Sequence, residues 1–341
     1  MLRPDAQSTE SALPPTVTAT VVTVGTFDGM HRGHRDVVQR LVDRATAAGL
    51  PSLLVTFDPH PLEVVNPAAA PPLLTVREEK IELLAETGLD YVAVLPFTRR
   101  LADYSAEEFV ELVLRKRFRM RELLIGYDHG FGRSRAGDVG VLRSLGKRDG
   151  FEVEVVEAVE APDGHSISST AIRRSVAGGD LDKAADSLGR LYSVGGRVTR
   201  GDQRGRKLGF PTVNLAPPVR KLLPPEGVYA ARVQTPRGTF GAMVNLGPRP
   251  TFGDSSVGIE AYLFDTDVDL YDAHVRLEFL TRLRDTRKFP DAAALVEQIK
   301  RDETAARSAL TVLSVAGNVR TAQNATGTRR PRSVTSISSS Q

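Results

Sequence analysis

Thr20-Val21-Val22-Thr23-Val24-Gly25-Thr26-Phe27-Asp28-Gly29-Met30-His31-Arg32-Gly33-His34 decides how the first half of this chain is read. The first five residues are apolar or β-branched and predict a buried strand, and residues 34–48 continue as an amphipathic helix. Between them lies a glycine-rich loop. A strand leading through such a loop into a helix lets backbone amides approach an anion, which the helix N-terminus also favours. His31 and His34, either side of Gly33, supply hydrogen-bond donors for phosphate oxygens, and such donors matter where charge builds up in a pentacovalent transition state. Gly25, Phe27, Asp28 and Gly29 are the loop's candidate nucleotide contacts. Zinc is a poor alternative, because histidines three apart have no third ligand nearby.

Outward from this stretch the same alternation repeats. Residues 52–57, 91–96, 122–126 and 152–156 read as strands, and 76–87, 106–118 and 138–148 as helices. Apolar strands alternating with amphipathic helices predict a Rossmann-like α/β domain with a parallel sheet. The loops at 25–34, 58–61 and 126–137 all follow strands, so they are expected on the ligand-binding face at the carboxyl ends. After about residue 187 the texture changes to short strand-like runs at 192–198, 228–234, 239–244, 259–264 and 274–279, separated by Gly, Pro and Asp. That spacing predicts a small antiparallel β-barrel or sandwich, closed by a helix over 292–311 with Leu295, Val296 and Ile299 on its apolar side. In the link, Gly178-Gly179 can end one helix and Asp180 can cap the next. The expected domains are 16–187 and 188–312. The Ser/Thr/Arg-rich remainder, 313–341, is expected to be an unstructured tail.

Composition narrows the function. The chain has 341 residues with 45 Lys+Arg against 42 Asp+Glu, a net charge of +3. Four arginines with no acid lie after Val312 (Arg320, Arg329, Arg330 and Arg332), so the rest is nearly neutral and no basic nucleic-acid-binding domain is indicated. There is no cysteine, which excludes disulfides and thiol chemistry. No apolar run is long enough to span a membrane, and the first 15 residues lack a signal-peptide core, so cytoplasmic location is the default.

Two further motifs carry chemistry. Residues 201–214, with Gly201, Gly205, Arg206, Gly209, Phe210, Pro211, Thr212 and Asn214, form a basic glycine loop ending in an extended PTxN segment. It is not a Walker A loop. Thr212 and Asn214 alternate, so their side chains share a face and can present hard oxygen ligands to Mg²⁺ beside ATP phosphates. Alone, the segment is equally a surface hairpin. Ile167-Ser168-Ser169-Thr170-Ala171-Ile172-Arg173 reads as a helix start with an arginine that is either solvated or a fixed phosphate-binding cation.

The GxFDGxHxGH stretch and the ISSTxxR element resemble the HxGH nucleotidyltransferases. The GRxLGFPTxN stretch, Pro225-Glu226-Gly227-Val228-Tyr229, residues 245–252 and Ile259-Glu260-Ala261 resemble riboflavin kinase. Together, over about residues 18–311, the chain is similar to the bacterial bifunctional riboflavin kinase/FAD synthetases. The resemblance implies two ATP-dependent steps, riboflavin to FMN and FMN to FAD, with Mg²⁺ and only small-molecule partners. It makes Glu260 the kinase base, Asn245 a nucleotide or flavin contact, and His31, His34 and Arg173 the groups that stabilise charge in adenylyl transfer. Ser168, Ser169 and Thr170 complete that ATP site, and Asp128 matches a flavin-proximal loop. His129 stands where an aromatic is common, and Thr286 replaces a usual glutamate beside Asp285.

Overall fold

The structure, a computed structural model, describes residues 13–126, 137–157, 167–200, 205, 208–248, 257–323 and 335–337, those beyond 312 by their backbone alone. In the first half β1 (Thr20–Val24), β2 (Ser52–Asp58), β3 (Tyr91–Pro96), β4 (Met120–Gly126) and β5 (Glu152–Val156) form a parallel sheet in the order β3-β2-β1-β4-β5. β1, β2 and β3 read as nearly unbroken runs because both faces are covered, whereas β5 at the sheet edge alternates with exposed glutamates. Val21, Leu54, Val92 and Leu124 pack with Val38 and Leu41 of α1 (Arg32–Ala48). Leu83 and Leu84 of α3 (Arg77–Ala85) join the same core, and the short α2 (Pro61–Val65) precedes them in the chain. Val22, Leu53, Val55 and Leu123 point the other way, into a core with Phe109, Val113 and Leu142.

On that second face the helix expected over 106–118 is modified. After α4 (Arg99–Ala102) and one turn of α5 (Ala106–Glu108), residues Phe109–Arg117 widen to π-helical spacing, and the Phe118 amide donates back to the Val113 carbonyl. The widening leaves Phe109, Val110, Val113, Leu114 and Arg117 all buried. α6 (Val139–Asp149) starts at Asp138, whose carboxylate accepts from the Val141 amide.

By compactness the chain divides into two units between Ser168 and Ser169. The position of that division has a packing cause. α7 (Ser169–Gly178) packs on α8 (Leu181–Leu188), and α8 packs on strands of the second half. The link between the two helices behaves as its residues predict: Gly179 has φ +81° and Asp180 accepts from the Lys183 amide.

The second unit is a closed barrel in the order β10-β7-β6-β11-β8-β9. Its strands are β6 (Tyr192–Thr199), β7 (Thr212–Leu215), β8 (Gly227–Thr235), β9 (Gly238–Pro248), β10 (Val257–Leu263) and β11 (His274–Arg284). The extended PTxN segment is thus itself a barrel strand. α9 (Ala292–Gln323) lies against the barrel's outer face, with Ile299, Ala306 and Leu310 packed on Val228, Ala230, Met243 and Phe264.

Beyond residue 312, α9 runs on to Gln323, where no proline interrupts a ladder that adds one bond per residue once nucleated. Thr335–Ile337 pairs in parallel with the open edge of β3.

Candidate active sites

The histidine loop leaves β1 at the carboxyl end of the sheet. Its fixed shape comes from residues far away in the chain. Asp28 is 1% exposed, and its carboxylate accepts from the Leu74 amide (3.1 Å), the Thr75 amide (2.8 Å) and the Thr75 hydroxyl (3.1 Å). That hydroxyl in turn accepts from the Gly29 amide at 2.9 Å. Asp28 therefore clamps the loop to the Leu74–Thr75 segment. Phe27 likewise turns its ring into the core and onto His34, edge to face at 5.1 Å. Phe27 and Met30 both adopt left-handed backbone (φ +47° and +40°), which costs on the order of 1–3 kcal/mol each and is held by their burial.

His31 caps α1: its Nδ1 accepts from the His34 amide at 3.3 Å. With Nδ1 accepting, the ring proton sits on Nε2. The two imidazoles stack at 3.6 Å. Gly33 permits this, since a Cβ there would lie 3.3 Å from His31 Nδ1. Burial first, then the neighbouring His31 and Lys80, hold the His34 imidazole well below its ordinary 6.5. His34 Nδ1 is buried with no hydrogen-bond partner among the described residues. The stacked pair therefore presents imidazole hydrogen-bonding groups at the start of α1, with a proton on His34 disfavoured.

Lys80, on α3, reaches this loop: its Nζ donates to the Thr26 carbonyl at 2.8 Å and to the Thr56 hydroxyl at 3.3 Å. The run Glu78-Glu79-Lys80 looks like a solvated face in sequence. The available signal was position, because Lys80 shares a helical stripe with buried Val76, Leu83 and Leu84. Ser169, Thr170 and partly buried Arg173 lie on α7, in the second compact unit, and Ser168 ends the first. Asp128 and His129 lie outside the described residues.

The barrel site is a row in register. Glu260 on β10 stands opposite Asn214 on β7 and opposite Asn245 on β9. Directly opposed residues share a face. Ile259 and Ala261 on either side of Glu260 are buried, whereas Glu260 and Asn245 are exposed. Among the described residues neither Glu260, Asn214 nor Asn245 has a side-chain hydrogen bond or ion pair. Thr212, two residues before Asn214 and opposite Tyr262, faces the same way.

The loop before β7 folds tightly back: the Phe210 amide donates to the Gly205 carbonyl at 2.9 Å. A Cβ at Gly205 would sit 2.3 Å from the Phe210 carbonyl and 3.4 Å from Thr212 Oγ1, so only glycine fits. Gly209 has φ +87°, Phe210 meets Tyr262 edge to face at 5.3 Å, and Pro211 is exposed. Gly201 and Arg206 lie outside the described residues. Asp285, beside Thr286, pairs with Arg282 at 2.6 Å.

Residues 13–171 match the family model for FAD synthetase, and residues 188–310 that for riboflavin kinase. A bifunctional riboflavin kinase/FMN adenylyltransferase of Escherichia coli (strain K12) is 38% identical over 288 residues, covering 84% of this chain and 91% of that one. Its counterpart from Pseudomonas fluorescens is 38% identical over 289 residues, 84% and 92% of the two chains. A crystal structure described as a macrolide-efflux protein from Streptococcus pneumoniae is 30% identical with a TM-score of 0.77, covering 86% of this chain and 95% of its own. What that structure shares with this chain is the architecture of both halves. Among the described residues no helix is long and apolar enough to cross a membrane.

Proposed function

Because this chain belongs to the bifunctional riboflavin kinase/FMN adenylyltransferase family, we propose that Glu260, Thr212 and Asn214 serve its riboflavin kinase and that His31, His34 and Arg173 serve its adenylyl transfer. The barrel half carries the kinase and the sheet half the FAD synthetase. In the kinase step Glu260 accepts the proton of the riboflavin 5′-hydroxyl as that oxygen attacks the γ-phosphorus of ATP, and ADP leaves. The loop 201–209 covers the nucleotide, with Gly205 keeping it close to Thr212, and Asn245 holds the substrate beside Glu260.

Thr212 and Asn214 fit Mg²⁺: they offer hard oxygens with no other partner among the described residues. An ion that keeps water and phosphate ligands needs only one or two from protein. When bound, Mg²⁺ neutralises charge on the phosphate oxygens. Thr212 and Asn214 hold the nucleotide end of the site in line with Glu260, so the work is positioning and charge neutralisation.

In the second step an FMN phosphate oxygen attacks the α-phosphorus of ATP and pyrophosphate leaves. Gly25, Phe27 and Gly29 shape the loop that opens onto the anion site at the start of α1, with the Gly25 and Gly29 amides held by Val55 and Thr75. His31 and His34 donate hydrogen bonds to the oxygens that gain charge. Ser168, Ser169 and Thr170 complete the ATP site, Arg173 acts as a fixed cation, and Asp128 contacts the flavin. Soluble substrates in both steps fit a cytoplasmic enzyme.

The observation that carries this reading most is the row Asn214, Glu260, Asn245, a carboxylate without a partner among the described residues, flanked by two amides on one face. Incubation with riboflavin and MgATP, followed by separation of the flavins, is expected to yield FMN and then FAD. Formation of neither overturns the reading.

A further inference from the structure

We propose that Lys80 is a positioning residue of the adenylyl-transfer site, an ammonium strut that ties the strand end launching the histidine loop to the strand end that turns at Asp58. The backbone ladder between β1 and β2 ends where the Gly25 amide donates to the Val55 carbonyl at 3.0 Å. Beyond that bond the two chains part. Lys80 Nζ sits beyond the last rung and donates to Thr26 O (2.8 Å), Thr56 Oγ1 (3.3 Å) and Phe57 O (3.5 Å). The Thr56 hydroxyl donates to the Thr26 carbonyl at 3.1 Å and closes the triangle. An ammonium has three protons, and here each faces a protein acceptor. Lys80 therefore acts on substrate through the loop it holds rather than by contact.

The charge has a second consequence. Burial pushes the Lys80 ammonium down, while Asp28 on the loop and Asp58 on β2 hold it up. Asp58 in turn faces Arg77 and Glu78 from α3 and Glu63 from α2. On the loop side stand His31 and His34, and the Lys80 charge is one of the causes that depress His34. A cation fixed at this point adds to burial and to His31 in disfavouring a proton on His34, without touching the ring.

The inference rests on the adenylyl-transfer reading, and its test separates the two. Lys80→Met and Lys80→Arg in the full chain are compared with wild type for FAD formation from FMN and MgATP, for riboflavin phosphorylation, and for the His34 titration by NMR. Lys80→Met is expected to lower kcat for FAD formation by about 100-fold, the scale of a 1 Å misplacement. It should leave riboflavin phosphorylation unchanged and move the His34 titration upward. Lys80→Arg, which keeps the charge, should hold the His34 titration near the wild-type position. Wild-type kcat in Lys80→Met, or an unmoved His34 titration, overturns the strut. If Lys80→Met does not fold, Lys80→Gln replaces it: two donors remain but no charge, and wild-type kcat and titration in that variant overturn the proposal. A wild-type protein that forms no FAD sinks the functional reading instead, while the His34 titration still reports on the strut.

Discussion

The histidine loop and the barrel row are both read as phosphate-handling sites, and they are built in opposite ways. In the loop Phe27, Asp28, Met30 and His31 are all buried, and Asp28 is held by Leu74 and Thr75 from another part of the chain. In the barrel Glu260 and Asn245 are exposed and have no partner among the described residues. The loop's fixed dipoles and stacked rings are in place before a ligand arrives, as oxyanion-type stabilisation requires. The row needs only a strand register that brings three side chains side by side, with the ligand supplying their partners. Stabilising developing charge demands rigidity, whereas taking a proton demands an accessible oxygen.

The largest effect expected from breaking this contrast is at Glu260. Glu260→Gln keeps the shape and removes the base, and it should slow riboflavin phosphorylation by about 10²–10⁴-fold. Supplied FMN should still become FAD at the wild-type rate. A kinase activity within a few-fold of wild type would remove Glu260 from its role.

His31→Ala comes next, with FAD formation falling by about 10²–10³-fold and FMN accumulating from riboflavin. Because His31 also caps α1, His31→Asn sharpens the test. Asparagine is a good N-cap but lacks the imidazole. Equal loss in both variants assigns the effect to the ring, and recovery in His31→Asn would show that the cap alone mattered.

Asp28→Asn should weaken the loop clamp by about 1.5–3 kcal/mol, the range for hydrogen bonds to a charged group. The melting transition of the sheet half should fall and FAD formation with it, while riboflavin phosphorylation is spared. Unchanged stability would return Asp28 to the role of a ligand contact.

The smallest effect concerns pH. His34 is depressed below its ordinary 6.5, so below that pH the unfolded chain takes up a proton that the native chain does not. The stability present above pH 6.5 is therefore lost as pH falls toward the lowered value, by at most about 1.4 kcal/mol per pH unit. Denaturant melts between pH 7.5 and 5 should show a shallower acid loss in His34→Gln than in wild type. Parallel curves would mean that His34 titrates alike in both states.

Much of the architecture was legible from local pattern. The nearly unbroken apolar runs of β1 to β3 implied a two-sided parallel sheet, and the Gly/Pro-punctuated strands after residue 187 implied a barrel. Thr212 and Asn214 were readable as a same-face pair because side-chain alternation in a strand is local. The extent of the tail was less legible. A Ser/Thr-rich segment shows no apolar period, yet α9 continues to Gln323 and Thr335–Ile337 finds the β3 edge. The division at Ser168/Ser169 was not readable either, since it depends on which strands α8 packs against.

The sequence by itself determined the motifs, the order of the two domains and the chemical types at each site: imidazoles after a strand, and a carboxylate between buried neighbours on another. Periodicity and spacing are properties of neighbouring residues, so one chain suffices to read them. Only the tertiary structure decided that Asp28 clamps Leu74 and Thr75, that His31 and His34 stack, that Glu260 lines up with Asn214 and Asn245, and that Lys80 closes the gap where β1 and β2 part. Each of these joins residues distant in the chain, and which distant groups meet is set by strand register and packing, which no local pattern encodes.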